Sequence, residues 1–171
     1  MIRLKTVRWK NFLATGNRFL EVNLDQDPMM LVVGKNGAGK STLIDAITFS
    51  LFGKPFKKIN KGQLTNSVNE RELVTEIEFS VGTANWKVRR GIKPNLFEIY
   101  LNDNLVNQDA KSLDYQKYLE DKILKLNFKS FTQIVVLGSA SFVPFMQLTA
   151  HDRRIIIEDI LDIGIFSVMK S

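Results

Sequence analysis

Polar and apolar residues alternate from the start of the chain. Ile2, Leu4 and Thr6 are separated by Arg3 and Lys5, the period of a half-buried strand. The apolar phase then slips to Val7 and Trp9, which predicts a bulge. Leu20, Val22 and Leu24 predict a second strand, and the unbroken apolar run Met29 to Val33 a fully buried one. Ser41 to Phe52 reads as a helix: Leu43, Ile44, Ile47 and Leu51 share a face, and Gly53 with Pro55 supplies the stop. Phe56 to Glu72 is polar, carries Lys57, Lys58 and Lys61, and reads as a surface loop.

A strand-rich stretch comes next. Leu73, Thr75, Ile77, Phe79 and Val81 alternate over a long strand, Gly82 to Asn85 is a turn, Trp86 and Val88 open another strand, and Gly91 to Asn95 is a second turn. Phe97, Ile99 and Leu101 make a third strand, and Asn102-Asp103-Asn104 is a hairpin signal. These strands predict an antiparallel meander. Lys111 to Leu126 reads as helix, with Tyr115, Leu119 and Ile123 at four-residue spacing; Ile134 to Leu137 reads as a short buried strand. Thr149 and Asp152 resemble a capping box with Asp in place of Glu, opening a helix through Ile156, Ile157, Ile160 and Leu161. With no internal repeat and no linker-like tract, the pattern reads as one α/β unit.

Composition narrows the chemistry. The 171 residues contain 24 Lys and Arg against 18 Asp and Glu, a net charge of +6 that suits a polyanionic partner. Cysteine is absent and histidine occurs once, as His151. That removes disulfide frameworks, thiol nucleophiles and cysteine or multi-histidine metal sites. His151 falls in the first turn of a helix and reads as surface polar; Trp9, Trp86 and the phenylalanines read as core. No apolar run approaches the roughly 18 residues of a membrane span, and an intracellular, cytoplasmic setting is expected.

One motif carries chemistry. Gly34-Lys35-Asn36-Gly37-Ala38-Gly39-Lys40-Ser41 matches the P-loop pattern and lies between the buried strand and the helix. Glycines allow successive N–H groups to converge on phosphate oxygens, and a helix N-terminus adds partial positive charge there. On this reading Gly34, Gly37, Ala38 and Gly39 line the cradle. Lys40, the catalytic candidate, sets its ammonium on the β- and γ-phosphates, Ser41 offers a hydroxyl to Mg²⁺, Thr42 serves the α-phosphate and Asn36 the γ-phosphate. ATP and Mg²⁺ are the expected ligands. A guanine-reading Asn-Lys-x-Asp is absent, and strands precede the P-loop strand while a meander follows its helix, which favours an ABC-type head.

Lys10-Asn11-Phe12, the P-loop through Thr42, Asp45-Ala46-Ile47-Thr48-Phe49 and Leu51-Phe52-Gly53-Lys54-Pro55-Phe56 together resemble the N-terminal ATPase lobe of the SMC-like DNA-repair ATPases of SbcC type, most of all their phage recombination-endonuclease branch. Ile134 to Ala140, Pro144-Phe145-Met146, Arg153-Arg154 and Glu158-Asp159 extend the likeness over essentially residues 1–171, which would end near the start of a coiled coil. The resemblance implies a P-loop head lobe with an antiparallel β subdomain. Its implied partners are a C-terminal lobe carrying Walker B and signature motifs, a nuclease subunit, double-stranded DNA and a second head in an ATP-dependent homodimer, with no membrane. Ser139 stands where the family has its Q-loop glutamine and is the second candidate metal contact; Leu13 stands where some relatives have arginine.

Ile155 to Asp159 imitates a Walker B strand, but its Glu-Asp order and the capping signal upstream favour a helix. Without Walker B carboxylates, the chain alone is expected to hydrolyse little ATP. Lys57, Lys58, Lys61, Arg89 and Arg90 are the candidate DNA-phosphate contacts. The competing readings are a DNA- or partner-binding lobe with a vestigial loop, and a transporter-type nucleotide domain.

Overall fold

Strand β3 (Leu73–Val81) lies inside a six-stranded, wholly antiparallel sheet of order β2-β1-β3-β4-β5-β6. Its companions are β1 (Ile2–Lys10), β2 (Leu20–Asn23), β4 (Ala84–Ile92), β5 (Leu96–Leu101) and β6 (Asn104–Leu105). The computed structural model describes residues 2–26, 40–106, 112–134 and 149–161. The chain divides into two compact units, Met1–Gln116 and Lys117–Ser171. The strand expected over Met29 to Val33 lies outside the described residues.

The expected bulge is present. Leu4 pairs with Phe79 but Thr6 with Glu78, so Lys5 is the extra residue. The insertion puts Val7 and Trp9 on the core face, where both are buried. Across that face Val7, Ile77, Val88 and Ile99 line up in register, all fully buried. The meander is tighter than its glycines suggest. The β3–β4 connection is Gly82-Thr83, and β4 takes in both Asn85 and Gly91. Within the strand this position favours glycine, because a Cβ at Gly91 would stand 3.0 Å from the Leu73 carbonyl oxygen and 3.1 Å from Leu96 Cβ. Asn102 and Asp103 both take positive φ, as a two-residue hairpin turn requires, and close β5 onto β6.

Helix α1 (Lys40–Phe52) packs on β1, β3 and β4. Helix α2 (Ser112–Tyr118) brings Tyr115 edge-on to Phe97 with ring centroids 4.9 Å apart. The Tyr115 hydroxyl donates to Val106 O and accepts the Ile99 N–H, which ties β5 to the chain leaving it.

In the second unit a π-helical turn spans Leu119–Leu124 and stops at Lys125, whose φ is 53°. Helix α3 (Phe128–Ile134) comes next, with Asn127 Oδ1 accepting the Ser130 N–H as a cap. Ile134, expected to open a strand, instead closes α3, because Asn127 starts a helical turn that the apolar run alone does not reveal. The rest of that expected strand lies outside the described residues. Helix α4 (Ala150–Leu161) covers the Walker B imitation and is helical. Thr149 Oγ1 accepts the Asp152 N–H and donates to Asp152 Oδ2, and Lys129 pairs with Asp152 at 2.8 Å. Lys129 first, then Thr149, hold the Asp152 carboxyl below its ordinary range. His151 is exposed, as expected.

Phe79 is fully buried. Phe79→Ala is expected to cost about 3–5 kcal/mol through lost transfer energy and a cavity. Urea unfolding would show a lower midpoint with an unchanged slope.

Candidate functional site

Lys40 is the first residue of α1, so the glycine-rich segment abuts a helix N-terminus, where unpaired N–H groups collect. Gly34, Asn36, Gly37, Ala38 and Gly39 lie outside the described residues, as does Ser139, and the side chains of Lys40 and Ser41 are not described. What the structure defines is how the helix bearing these residues is held.

From Thr42 to Phe52 every residue of α1 except Ile44 is buried. The sequence pattern suggests one apolar stripe, yet Asp45, Thr48 and Ser50 are at 0% exposure alongside Ala46 and Leu51. Such a helix must satisfy its polar groups internally. Thr48 Oγ1 donates to the carbonyls of Ile44 and Asp45, and Ser50 Oγ to that of Ala46 at 2.7 Å. Phe49 meets Phe12, ring centroids 5.8 Å apart.

The C-terminal end of α1 has no basic residue of its own. Arg90 of β4 supplies the charge: Nε donates to Ser50 O at 2.8 Å and Nη2 to Leu51 O at 3.3 Å. Nη2 also donates to Gln116 Oε1, and Gln116 Nε2 donates to Leu51 O. The guanidinium lies 3.7 Å from the centre of the Phe97 ring. Gly53, at φ 73°, ends the helix beside it, where a Cβ would stand 3.0 Å from Arg90 Nη1. Cationic fork, carbonyls and ring thus clamp the negative end of the helix dipole.

Asp45 anchors the chain that leaves the helix. Its Oδ1 accepts the Lys57 N–H at 2.9 Å, and Oδ2 stands 3.7 Å from Lys57 Nζ. Burial pushes the Asp45 carboxyl above its ordinary range, opposed by the Lys57 amide and ammonium and the Phe56 amide. The Phe56 to Glu72 segment is therefore not a plain surface loop. Leu64 is fully buried, Thr65 bridges to Phe12, and Asn66 is buried. Asn11, at φ 50° and 1% exposure, joins two loops: Nδ2 donates to Asn17 Oδ1 and Glu72 O, and Oδ1 accepts from Asn69 Nδ2.

The basic candidates part company. Arg89 and Arg90 are neighbours on β4, so they project to opposite faces of the sheet. Arg90 is withdrawn from the DNA-contacting set: it is 8% exposed and committed to α1. Arg89 stands on the open face in a row of alternating charge running Glu21, Arg8, Glu76, Arg89, Glu98 across five strands. Glu76 centres that row, taking two 3.0 Å bonds from Arg8 with Arg89 at 3.9 Å. The Glu76 carboxylate raises the Arg8 pKa, chiefly through those hydrogen bonds. Lys57, Lys58 and Lys61 are all exposed on the loop after α1. Lys58 and Lys61 make no ion pair among the described residues. Those residues also contain no cluster of three or more metal-ligating side chains.

Sequence reasoning missed Asp45 and the Arg90 clamp. A charged residue inside the apolar span of α1 was the available signal for the first; for the second there was none, because Arg90 reads as one more strand cation.

The chain is similar to known proteins over most of its length. Residues 6–163 match the family AAA_23, described as an AAA domain. Exonuclease subunit 2 of Enterobacteria phage T4 is 42% identical over 167 residues, covering 98% of this chain and 30% of its own length. A probable DNA double-strand break repair Rad50 ATPase of Aquifex aeolicus is 30% identical over 141 residues, covering 78% of this chain and 14% of that protein. The chain therefore spans about a third or less of these relatives. Among solved structures, an Smc head domain with an extended coiled coil, bound to the C-terminal domain of ScpA and derived from Pyrococcus furiosus, has a TM-score of 0.67 at 20% identity. That likeness covers 99% of this chain and 44% of the other, and it identifies the fold as that of an Smc head domain. The resemblance read from the residues is borne out.

Two outcomes are expected from the packing of α1. Arg90→Met should cost about 3 kcal/mol, because charge-assisted hydrogen bonds are lost and buried carbonyls left unpaired; Arg90→Lys recovers less than half of that in urea unfolding. A carboxyl whose folded pKa is raised makes stability fall as pH climbs from the unfolded value through the folded one. Asp45→Asn removes that titration. The variant's stability relative to wild type is expected to increase from about pH 4 upward and then level off, measured by urea midpoints to about pH 7.

Proposed function

Because this chain belongs to the AAA_23 family of AAA domains, we propose that it is the nucleotide-binding lobe of a DNA recombination and repair ATPase. The observation that carries this reading is the start of α1 on Lys40, immediately after Gly34 to Gly39 in the chain, on a helix buried from Thr42 to Phe52 except at Ile44. Main-chain N–H groups of the glycine segment and of the first helical turn hold the triphosphate. Lys40 sets positive charge where negative charge grows during phosphoryl transfer. The helix-start hydroxyls of Ser41 and Thr42 fit a hard metal and a phosphate oxygen. Mg²⁺, when bound there, neutralises phosphate charge; Ser41, and Ser139 in place of a glutamine, are the side chains proposed to face it.

The attacking water needs a carboxylate to orient it, and the resemblance places that carboxylate in a C-terminal lobe. The hydrolytic site is therefore proposed to be composite. A C-terminal lobe supplies Walker B and signature residues, two heads engage around ATP, and a nuclease subunit acts on double-stranded DNA. Similarity to a phage exonuclease subunit supports this assignment, and a place of action in the cytoplasm of the host cell. No described helix is long and apolar enough to cross a membrane.

Titration with a fluorescent ATP analogue and Mg²⁺ tests the reading. Lys40→Ala is expected to weaken binding about 30-fold, the worth of one charge-assisted contact. Equal affinity in wild type and variant would favour a vestigial loop on a DNA- or partner-binding lobe.

A further inference from the structure

We propose that Asp45 controls how much of the Lys57 charge is offered to an external phosphate, making it a positioning residue for polyanion contact. The proposal rests on reading the loop after α1 as a phosphate-contacting surface, and it concerns a residue outside the nucleotide contacts.

The geometry is asymmetric. Asp45 Oδ1 is satisfied by the Lys57 N–H at 2.9 Å. A neutral Asn would provide that acceptor equally well. The second oxygen, Oδ2, is buried without a hydrogen-bond partner, and Lys57 Nζ stands 3.7 Å from it. The carboxylate side chain is 1% exposed, while that of Lys57 is 47% exposed. The ammonium is thus shared between a buried anion behind it and solvent in front of it. Lys58 and Lys61, exposed on the same loop, have no ion pair among the described residues. A phosphate reaching this loop meets Lys58 and Lys61, which make no ion pair among the described residues, and Lys57, held back by Asp45. Drawing Lys57 outward leaves a buried charge uncompensated, which opposes the movement.

Removing the Asp45 charge while keeping the acceptor should release Lys57. The probe is a mixed-sequence DNA duplex, titrated against the whole chain by fluorescence anisotropy over a series of salt concentrations, without nucleotide. Asp45→Asn is expected to tighten binding about threefold, the typical worth of a partly exposed ion pair. It should also steepen the slope of log K against log salt by up to about one. Lys57→Gln should abolish the gain in the Asp45→Asn background, and in wild type it should weaken binding less than Lys58→Gln does.

The proposal is overturned if Asp45→Asn, with wild-type circular dichroism, binds no tighter. It is equally overturned if the gain survives Lys57→Gln, if Lys57→Gln costs as much as Lys58→Gln in wild type, or if neither protein binds the duplex. Asp45→Ser replaces the asparagine variant if that fails to fold, and the Lys57 and Lys58 comparison needs neither. A Lys58→Gln/Lys61→Gln double variant separates the premises: weakened binding there, with no effect of Asp45→Asn, keeps the surface and removes the coupling.

Discussion

Burial of a polar-containing helix is the constraint on which the rest of this structure depends. Helix α1 carries the proposed phosphate-binding residues at its start, and from Thr42 to Phe52 every residue except Ile44 is buried. Nothing inside it can rely on water. Thr48 and Ser50 turn back onto their own helix, Arg90 and Gln116 close its carbonyl end, and Asp45 takes the amide of the chain that leaves it. Each of these contacts answers a desolvation cost that would otherwise exceed the worth of the hydrogen bond itself. The result is a rod fixed at its far end and along its middle.

The sheet provides the surface against which this rod is fixed, and its two faces divide the work. One face is apolar in register across β1, β3, β4 and β5, with Arg90 as its single described cation, aimed at α1. The opposite face carries the row of alternating charge centred on Glu76. Opposite charges placed on adjacent strands favour one register over a slip by one residue, because a slip would part these charge pairs and turn the apolar set to solvent. The bulge at Lys5 extends this logic to β1, bringing Val7 and Trp9 to the core face. Pairing, charge and core thus specify the same alignment, which is how a sequence comes to define one structure.

The functional picture rests on where charge is left over. On the open face of the sheet, Arg8, Lys87 and Arg89 all lie within 4.0 Å of the Glu76 carboxylate. In the loop after α1, Lys58 and Lys61 are exposed, with no ion pair among the described residues, and Lys57 is half-committed. In the proposed motor, the helix that holds the nucleotide and the loop that meets a polyanion are consecutive in the chain and joined by one buried carboxylate. The chain belongs to the AAA_23 family and has the fold of an Smc head domain, and the proposal of a composite site builds on both.

The sequence by itself determined strands β1 to β5, helices α1 and α4, the bulge, the meander, the Thr149 cap and the resemblance that family membership bears out. All of these are written in local periodicity, in turn residues or in short contiguous patterns, which physical chemistry reads without knowing the fold. Tertiary structure alone decided which charges are free. Arg89 and Arg90 are adjacent letters with the same chemistry, yet the pleat sends one into a salt-bridged row and the other beneath a helix 40 residues away in the chain. Asp45 looks like an interruption in an apolar helix until Lys57 closes onto it. Ile134, in an apolar run, became the end of a helix because a cap at Asn127 outweighed local strand preference. Burial and pairing are properties of distant segments brought together, so no reading of neighbours along the chain can supply them.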